Sequence, residues 1–351
     1  MILHTSSFRA ALAGKIARAA NSGADAIADA RLNRPEDQSS CDVNGNPFSH
    51  DTLRLHYDFL AGAIEAGSPA SFTQYTQWAA RMLVARGSPG SALHESFHEI
   101  GLQLRGQLTA EEYAQVLSFL QNAPSDHPAA TPANSTEDAH GPLKLVRDVF
   151  RSAILHGKRQ AALAVVQKAL QSGCSLPDVY VEVFDGALRE IGKCWESNRI
   201  TVAQEHMATA ITQYVIASIY PSIEPRNPMR GAMVVTGVSG ELHQIGANLV
   251  ADAMEAEGWN VHFLGSNLPG RGIVDAVEEN AADVLCISTT LVANLPAAAN
   301  LIRAVRARLD GRAPRIVVGG SAYTFAAEFA NELGVTNLTT NLRAALHLLC
   351  A

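Results

Sequence analysis

From residue 230 onward the chain alternates short apolar runs with amphipathic ones, and that alternation leaves few folds open to it. Strand-type runs at 232–236, 260–264, 284–288 and 315–318, with a short one near 335–339, alternate with helical runs at 244–257, 270–280, 295–309, 323–332 and 341–350. Short loops between them predict a parallel sheet covered on both faces. Five strands suggest a flavodoxin-like, doubly wound order, in which ligands bind beyond the carboxyl ends of the strands. The loop after the first strand, Gly240-Glu241-Leu242-His243-Gln244-Ile245-Gly246, places His243 at that position. Glu241 lies close enough to take one imidazole proton, which would fix the tautomer and free the other nitrogen for a metal. A loop histidine hydrogen-bonded to solvent fits the same spacing.

Upstream the periodicity is helical throughout. Residues 6–33 read as one Ala-rich helix, the polar stretch 35–50 as a loop, and Asp51 as the N-cap of a helix through Ile64. Gly67-Ser68-Pro69 breaks the pattern before a helix over 72–86. Ser88-Pro89 opens another to about Leu104, and Thr109 with Glu112 forms a capping box for the last. This all-helical segment, 1–123, gathers His56, Tyr57, Phe59, Phe72, Tyr75, Trp78, His94, Phe97 and His98. His94 and His98, one turn apart, could bind a metal or flank a planar ligand; core aromatics with solvated histidines account for them equally. Residues 124–142, rich in Pro, Ala, Ser and Asp, read as a linker, with His127 and His140 exposed. Helical runs at 143–156, 158–172, 176–196 and 201–219 then predict a four-helix bundle within 143–228, ahead of the strand-bearing segment 229–351.

Composition removes several classes. A net charge of −7 without a Lys/Arg cluster argues against a nucleic-acid face. No apolar run is long enough to span a bilayer, and the N-terminus lacks the charged and apolar regions of a signal peptide. Five scattered cysteines with no CxxC pair suit reduced thiols in a cytoplasm.

The loop around His243 resembles the cobalamin-binding signature of corrinoid proteins: an acid, any residue, His, two residues, Gly. Glu241, His243 and Gly246 match it, with Gln244 and Ile245 between. The resemblance implies that His243 is the lower cobalt ligand, base-off/His-on, and that the cofactor's nucleotide tail inserts into the fold. Trp195, followed after nine residues by Glu205 and His206, resembles the motif in the bundle before the cobalamin domain of CarH-type photoreceptors. There the Trp shields the adenosyl group; a flat indole excludes solvent from a weak cobalt–carbon bond. The residue after that Trp is a cobalt-capturing His in the DNA-binding photoreceptor, and here it is Glu196. Ser288 matches the serine placed against the tail, Thr290 replaces the usual Leu, and Gly319-Gly320 match the paired glycines that allow close backbone approach. Gly265, after the second strand, is also of the family's type.

The resemblance, over about 143–351, implies adenosylcobalamin as cofactor and a cytoplasmic, non-enzymatic light sensor in which photolysis rearranges domains or oligomer. It implies a homo-oligomer, a dimer being expected, and an output protein that the sequence does not name. The overall layout also resembles the photocobilins, so a bilin such as biliverdin could sit in the N-terminal segment, with Cys41 as a conceivable anchor. The alternative is a corrinoid methyl carrier of a methyltransferase system. A mutase would need a barrel of about 250 residues, and none is present.

Overall fold

The computed structural model describes residues 5–32, 46–121, 141–223, 230–338 and 342–350. Cys41, His127, His140 and nearly all of the expected linker lie outside these residues. Five helices come first: α1 (Ser6–Leu32), α2 (His50–Glu65), α3 (Pro69–Ala85), α4 (Ala92–Arg105) and α5 (Ala110–Leu120). Two of their starts differ from the expectation because serines cap them. Ser49 rather than Asp51 caps α2, its hydroxyl accepting from the Thr52 N–H. Ser68 caps α3 in the same way, so Pro69 sits where its missing N–H costs nothing; Gly67-Ser68-Pro69 does separate the two helices, and α3 opens at Pro69, ahead of the expected 72. The helix expected from Ser88-Pro89 begins only at Ala92, whereas the Thr109–Glu112 capping box is formed. Gly23 lets α1 approach α2, since a Cβ there would lie 2.4 Å from the Tyr57 hydroxyl.

The bundle follows as α6 (Lys144–Leu155), α7 (Arg159–Gln171), α8 (Leu176–Asp178), α9 (Gly186–Glu196) and α10 (Val202–Ile219). α8 passes into α9 without a break through a π-helical stretch, Val179–Asp185, which the apolar periodicity gave no sign of. Five parallel strands then appear: β1 (Ala232–Gly237), β2 (Asn260–Phe263), β3 (Val284–Ser288), β4 (Arg315–Gly319) and β5 (Thr336–Asn337). Their order, β2-β1-β3-β4-β5, is the doubly wound one. The helices between and after them are α11 (Ile245–Ala256), α12 (Gly270–Glu279), α13 (Leu295–Leu309), α14 (Ala327–Glu332) and α15 (Leu342–Cys350). The helix expected over 323–332 is divided, a 3-10 turn at Ser321–Thr324 preceding α14. Alternation along β1 sends Val234 into the core beneath α12 and α13, and Met233 and Val235 into the core beneath α11 and α15.

The bundle rests on α11, whose Leu249 and Ala253 enter the bundle's own core. Within the π stretch, Tyr180 donates its hydroxyl proton to Asp252 of α11 at 2.9 Å. Asp252 is 5% exposed, and burial pushes its carboxyl up to about 6 although the Tyr180 hydrogen bond opposes the shift. The folded state therefore holds the proton more tightly than the unfolded chain, so stability falls as pH rises from the ordinary carboxylate value towards 6. That fall amounts to up to about 3 kcal/mol. Asp252→Asn keeps an acceptor for Tyr180 and is expected to remove this pH dependence, read as the difference in urea midpoint between about pH 4 and about pH 7. Parallel curves for the two proteins would refute it.

Candidate functional site

At the carboxyl ends of the strands Gly237, Ser288 and Gly319 stand in one register row across β1, β3 and β4. Four loops meet there, as the sequence implied. Gly237 donates its N–H to the Gly265 carbonyl at 2.8 Å, joining the loops after β1 and β2. Thr289 donates to the Gly319 carbonyl at 2.9 Å, joining those after β3 and β4. Asn267, in the left-handed region that Asn tolerates, accepts from the Gly240 N–H at 2.9 Å.

Glu241 lies at the centre, with 0% exposure. Its Oε1 accepts from the His243 backbone N–H at 3.0 Å and meets His243 Nδ1 at 2.6 Å. Its Oε2 accepts from the N–H groups of Thr290 (2.7 Å) and Leu291 (3.3 Å) and from Asn294 Nδ2 (3.1 Å). Burial alone would push this carboxyl up; the bonds from His243 and Thr290 outweigh it and hold it below the usual carboxylate range. In turn the bond to Glu241 raises His243 against the opposing effect of burial. With Nδ1 occupied, Nε2 is left without a hydrogen-bond partner among the described residues, on a side chain that is 54% exposed. Thr290 donates to the Glu241 carboxylate through its backbone N–H, so the Thr that departs from the family's Leu does not disturb the bond.

Gln244 and Gly246 are exposed and Ile245 half-buried, at the start of α11. Gly320 adopts φ +105°, and a Cβ on it would sit 2.2 Å from the Thr289 carbonyl oxygen, so only glycine fits. Beside it, Ser266 Oγ, Thr289 Oγ1 and Tyr323 OH are buried without a well-formed hydrogen bond. Such atoms in the loops after β2, β3 and β4 suit a polar group inserted from the rim. Around the loops Leu242 and Phe325 are exposed apolar side chains, as are Val202 and Met207 of the bundle.

Glu205 and His206 stand near the start of α10. The charge of Glu205 reaches His243 and helps to raise it, so bundle and sheet face each other across the His243 loop. His206 is 75% exposed, with Nδ1 on Glu205 Oε2 at 2.7 Å. Trp195, half-buried at the end of α9, lies against the N-terminal helices: its ring is 6.4 Å from that of Trp78, and the Arg86 guanidinium is 5.0 Å from its centroid. Glu196 accepts from Trp78 Nε1 at 2.8 Å.

The aromatic cluster of the N-terminal helices is a packed core. Phe59 and Tyr75 stack at 3.7 Å, and the Tyr75 hydroxyl meets buried His56 Nδ1 at 2.6 Å. His94 and His98 are exposed, and among the described residues no group of three or more His, Cys, Asp or Glu could hold a metal ion. Sequence reasoning missed Asn294 and Tyr323. A Pro at the start of a helix right behind the third loop, Asn294-Leu295-Pro296, was the available signal for the first. A cavity of about 460 Å³ also opens between α10, α11 and β2, lined by Gln213, Tyr220, Gln244 and Glu255 among others. No helix among the described residues is long and apolar enough to cross a membrane.

Glu241→Ala would leave the N–H groups of Thr290 and Leu291 and the Asn294 amide without their acceptor. We expect it to destabilise the cofactor-free protein by at least about 2 kcal/mol in urea unfolding. A loss within error of zero would show that water replaces the carboxylate freely.

Residues 231–339 match a family model described as a B12 binding domain, and residues 146–220 match a second model of the same description. The dimethylamine corrinoid protein 1 of Methanosarcina acetivorans is 24% identical over 197 residues, 55% of this chain and 91% of that protein. A dimethylamine corrinoid protein of Methanosarcina barkeri is 26% identical over 197 residues, again 55% of this chain and 91% of its own length. A corrinoid protein of Desulfitobacterium hafniense is 22% identical over 53% of this chain and 88% of its own length. The solved monomethylamine corrinoid protein of Methanosarcina barkeri shares the fold, with a TM-score of 0.53 at 18% identity over 59% of this chain and 98% of that one. The two matched domains and these relatives support a cobalamin-binding family for the chain, without extending to the photoreceptor subtype.

Proposed function

We propose that the protein is a corrinoid carrier that holds cobalamin between the bundle and the sheet, with His243 Nε2 as the lower cobalt ligand. The observation that carries this reading is the Glu241–His243 pair. A fully buried carboxylate fixes the imidazole through Nδ1 and leaves Nε2 free to ligate a metal. This is the arrangement by which outer carboxylates orient metal-bound histidines. Bound cobalamin would supply a cobalt centre whose upper position accepts and releases an alkyl group. The chain's own residues bind and orient: Gly265, Ser288, Gly319 and Gly320 would flank the nucleotide tail. Ser266, Thr289 and Tyr323 would offer it hydroxyls, and Trp195, Glu205 and His206 would face the upper side. The similarity to dimethylamine corrinoid proteins supports a methyl group as the cargo and a methyltransferase as partner.

One observation favours a second reading, an adenosylcobalamin light sensor. Trp195, with Glu205 and His206 at their spacing, resembles the photoreceptor motif in sequence, and its ring is held by helices that precede the matched domains. The aromatic rings expected to receive a bilin are instead committed to core contacts with one another, so no bilin is proposed.

Purified protein supplied with hydroxo- or adenosylcobalamin is expected to give the spectrum of a His-ligated, base-off corrinoid. His243→Ala should lose it, and Glu241→Gln should weaken cobalamin binding by about 10–100-fold. Binding that is indifferent to both substitutions would overturn the assignment. Acceptance of a methyl group without a light response supports the carrier; photolysis with a changed oligomeric state supports the sensor.

A further inference from the structure

The N-terminal helices touch both the end of α9, which carries Trp195, and the turn that carries Asn294, and they do so with groups suited to hold each in place. On the bundle side α3 grips the turn after α9. Trp78 Nε1 donates to Glu196, and Arg86 donates to the carbonyls of Trp195 (3.1 Å) and Glu196 (3.2 Å) while its guanidinium covers the Trp195 ring. Asn198, in the same turn, donates to the Ala85 carbonyl at 3.3 Å. On the sheet side α2 lies against the 3-10 turn Val292–Asn294. The contact is close enough that a Cβ on Gly62 would stand 2.0 Å from the Val292 carbonyl oxygen. Asn294 of that turn donates to Glu241. Glu65 pairs with Arg303 of α13 at 3.0 Å, and Ser68 donates to the Phe325 carbonyl at 2.5 Å.

From this double contact we infer that Trp78 and Arg86 are positioning residues. They fix Trp195 over the upper cobalamin face, and the N-terminal helices brace the bundle and the His243 loop as one unit. The inference rests on the cobalamin reading above. Apart from the Asn294–Glu241 bond, none of these contacts belongs to the matched B12-binding domains alone: in each, one partner lies before residue 146. The Arg86 fork adds a side-chain donor to the Trp195 carbonyl, which also accepts from the Asn198 N–H, and to the Glu196 carbonyl in the last turn of α9, so its removal loosens the end of that helix. Glu196, where the photoreceptor has a cobalt-capturing histidine, serves as the anchor for Trp78 instead.

The test uses the full chain loaded with aquocobalamin, to which cyanide is added. Cyanide binds cobalt as the upper water leaves, with no change of oxidation state, and the absorption change gives the rate. Trp78→Ala and Arg86→Ala are each expected to speed cyanide entry about tenfold, with Trp78→Phe, which keeps the ring but not the N–H, in between. Arg86→Lys should recover only part of the wild-type rate, because it lacks the fork. In the cofactor-free chain the same alanine variants should speed hydrogen exchange of backbone amides 191–206, without the His243 loop losing its protection. Variants that fold and bind cobalamin yet take up cyanide at the wild-type rate overturn the inference, even where their thermal stability has dropped. Failure of the wild-type chain to bind cobalamin would end the cobalamin reading. The amide exchange would then decide whether Trp78 and Arg86 hold the α9 end, unchanged exchange refuting that as well.

Discussion

A carboxylate removed from water fixes the assembly of this site. Burying Glu241 as an ion is costly unless hydrogen bonds replace its hydration. Its five donors come from its own loop, from the loop after β3 and from the 3-10 turn leading into α13. Those segments converge only if β1 and β3 are neighbours, which the doubly wound order provides. The orientation of His243 is thus a consequence of sheet topology, transmitted through one side chain.

The rest of the molecule is arranged around that point by contacts that cross between its parts. Tyr180 and Asp252 tie the bundle to α11, the helix that starts just after His243. Arg303 and Glu65 tie α13, which starts just after Asn294, to α2. An ion pair between Arg9 and Glu332 joins α1 to α14. Elements that leave the rim of the sheet are therefore held at their flanks as well as at the loops, a condition for keeping a ligand nitrogen in one place.

The strands and helices from residue 230 were legible because buried parallel strands are apolar runs of a length helices do not share, and their order followed from short connections. The pairing of Glu241 with His243 was legible because it is local, two residues apart. What could not be read required partners distant in sequence. Asn294 reaches Glu241 across 53 residues and Trp78 reaches Glu196 across 118. Helix starts at Ser49 and Ser68 were displaced for a different reason: Asp51 and Pro69 carry strong local signals, and the preceding serines compete successfully for the cap. The π stretch at 179–185 leaves the apolar spacing nearly unchanged, so periodicity cannot report it. The aromatic and histidine cluster before residue 100 looked like a ligand site from composition, yet its rings had simply found one another.

The same geometry explains why a glutamate serves at position 241. Oε1 remains on the imidazole while Oε2 spans to the N–H groups of Thr290 and Leu291 and the amide of Asn294. An aspartate on the same backbone would be shorter by one carbon–carbon bond, about 1.5 Å. It could reach the imidazole or the third loop at these distances, but not both. The third loop is where α2 bears on the sheet through Gly62 and Val292. The longer acid therefore does more than set a tautomer: it joins the lower ligand to the surface on which the N-terminal helices press. A displacement of α2 and a displacement of His243 are in that way opposed by the same carboxylate.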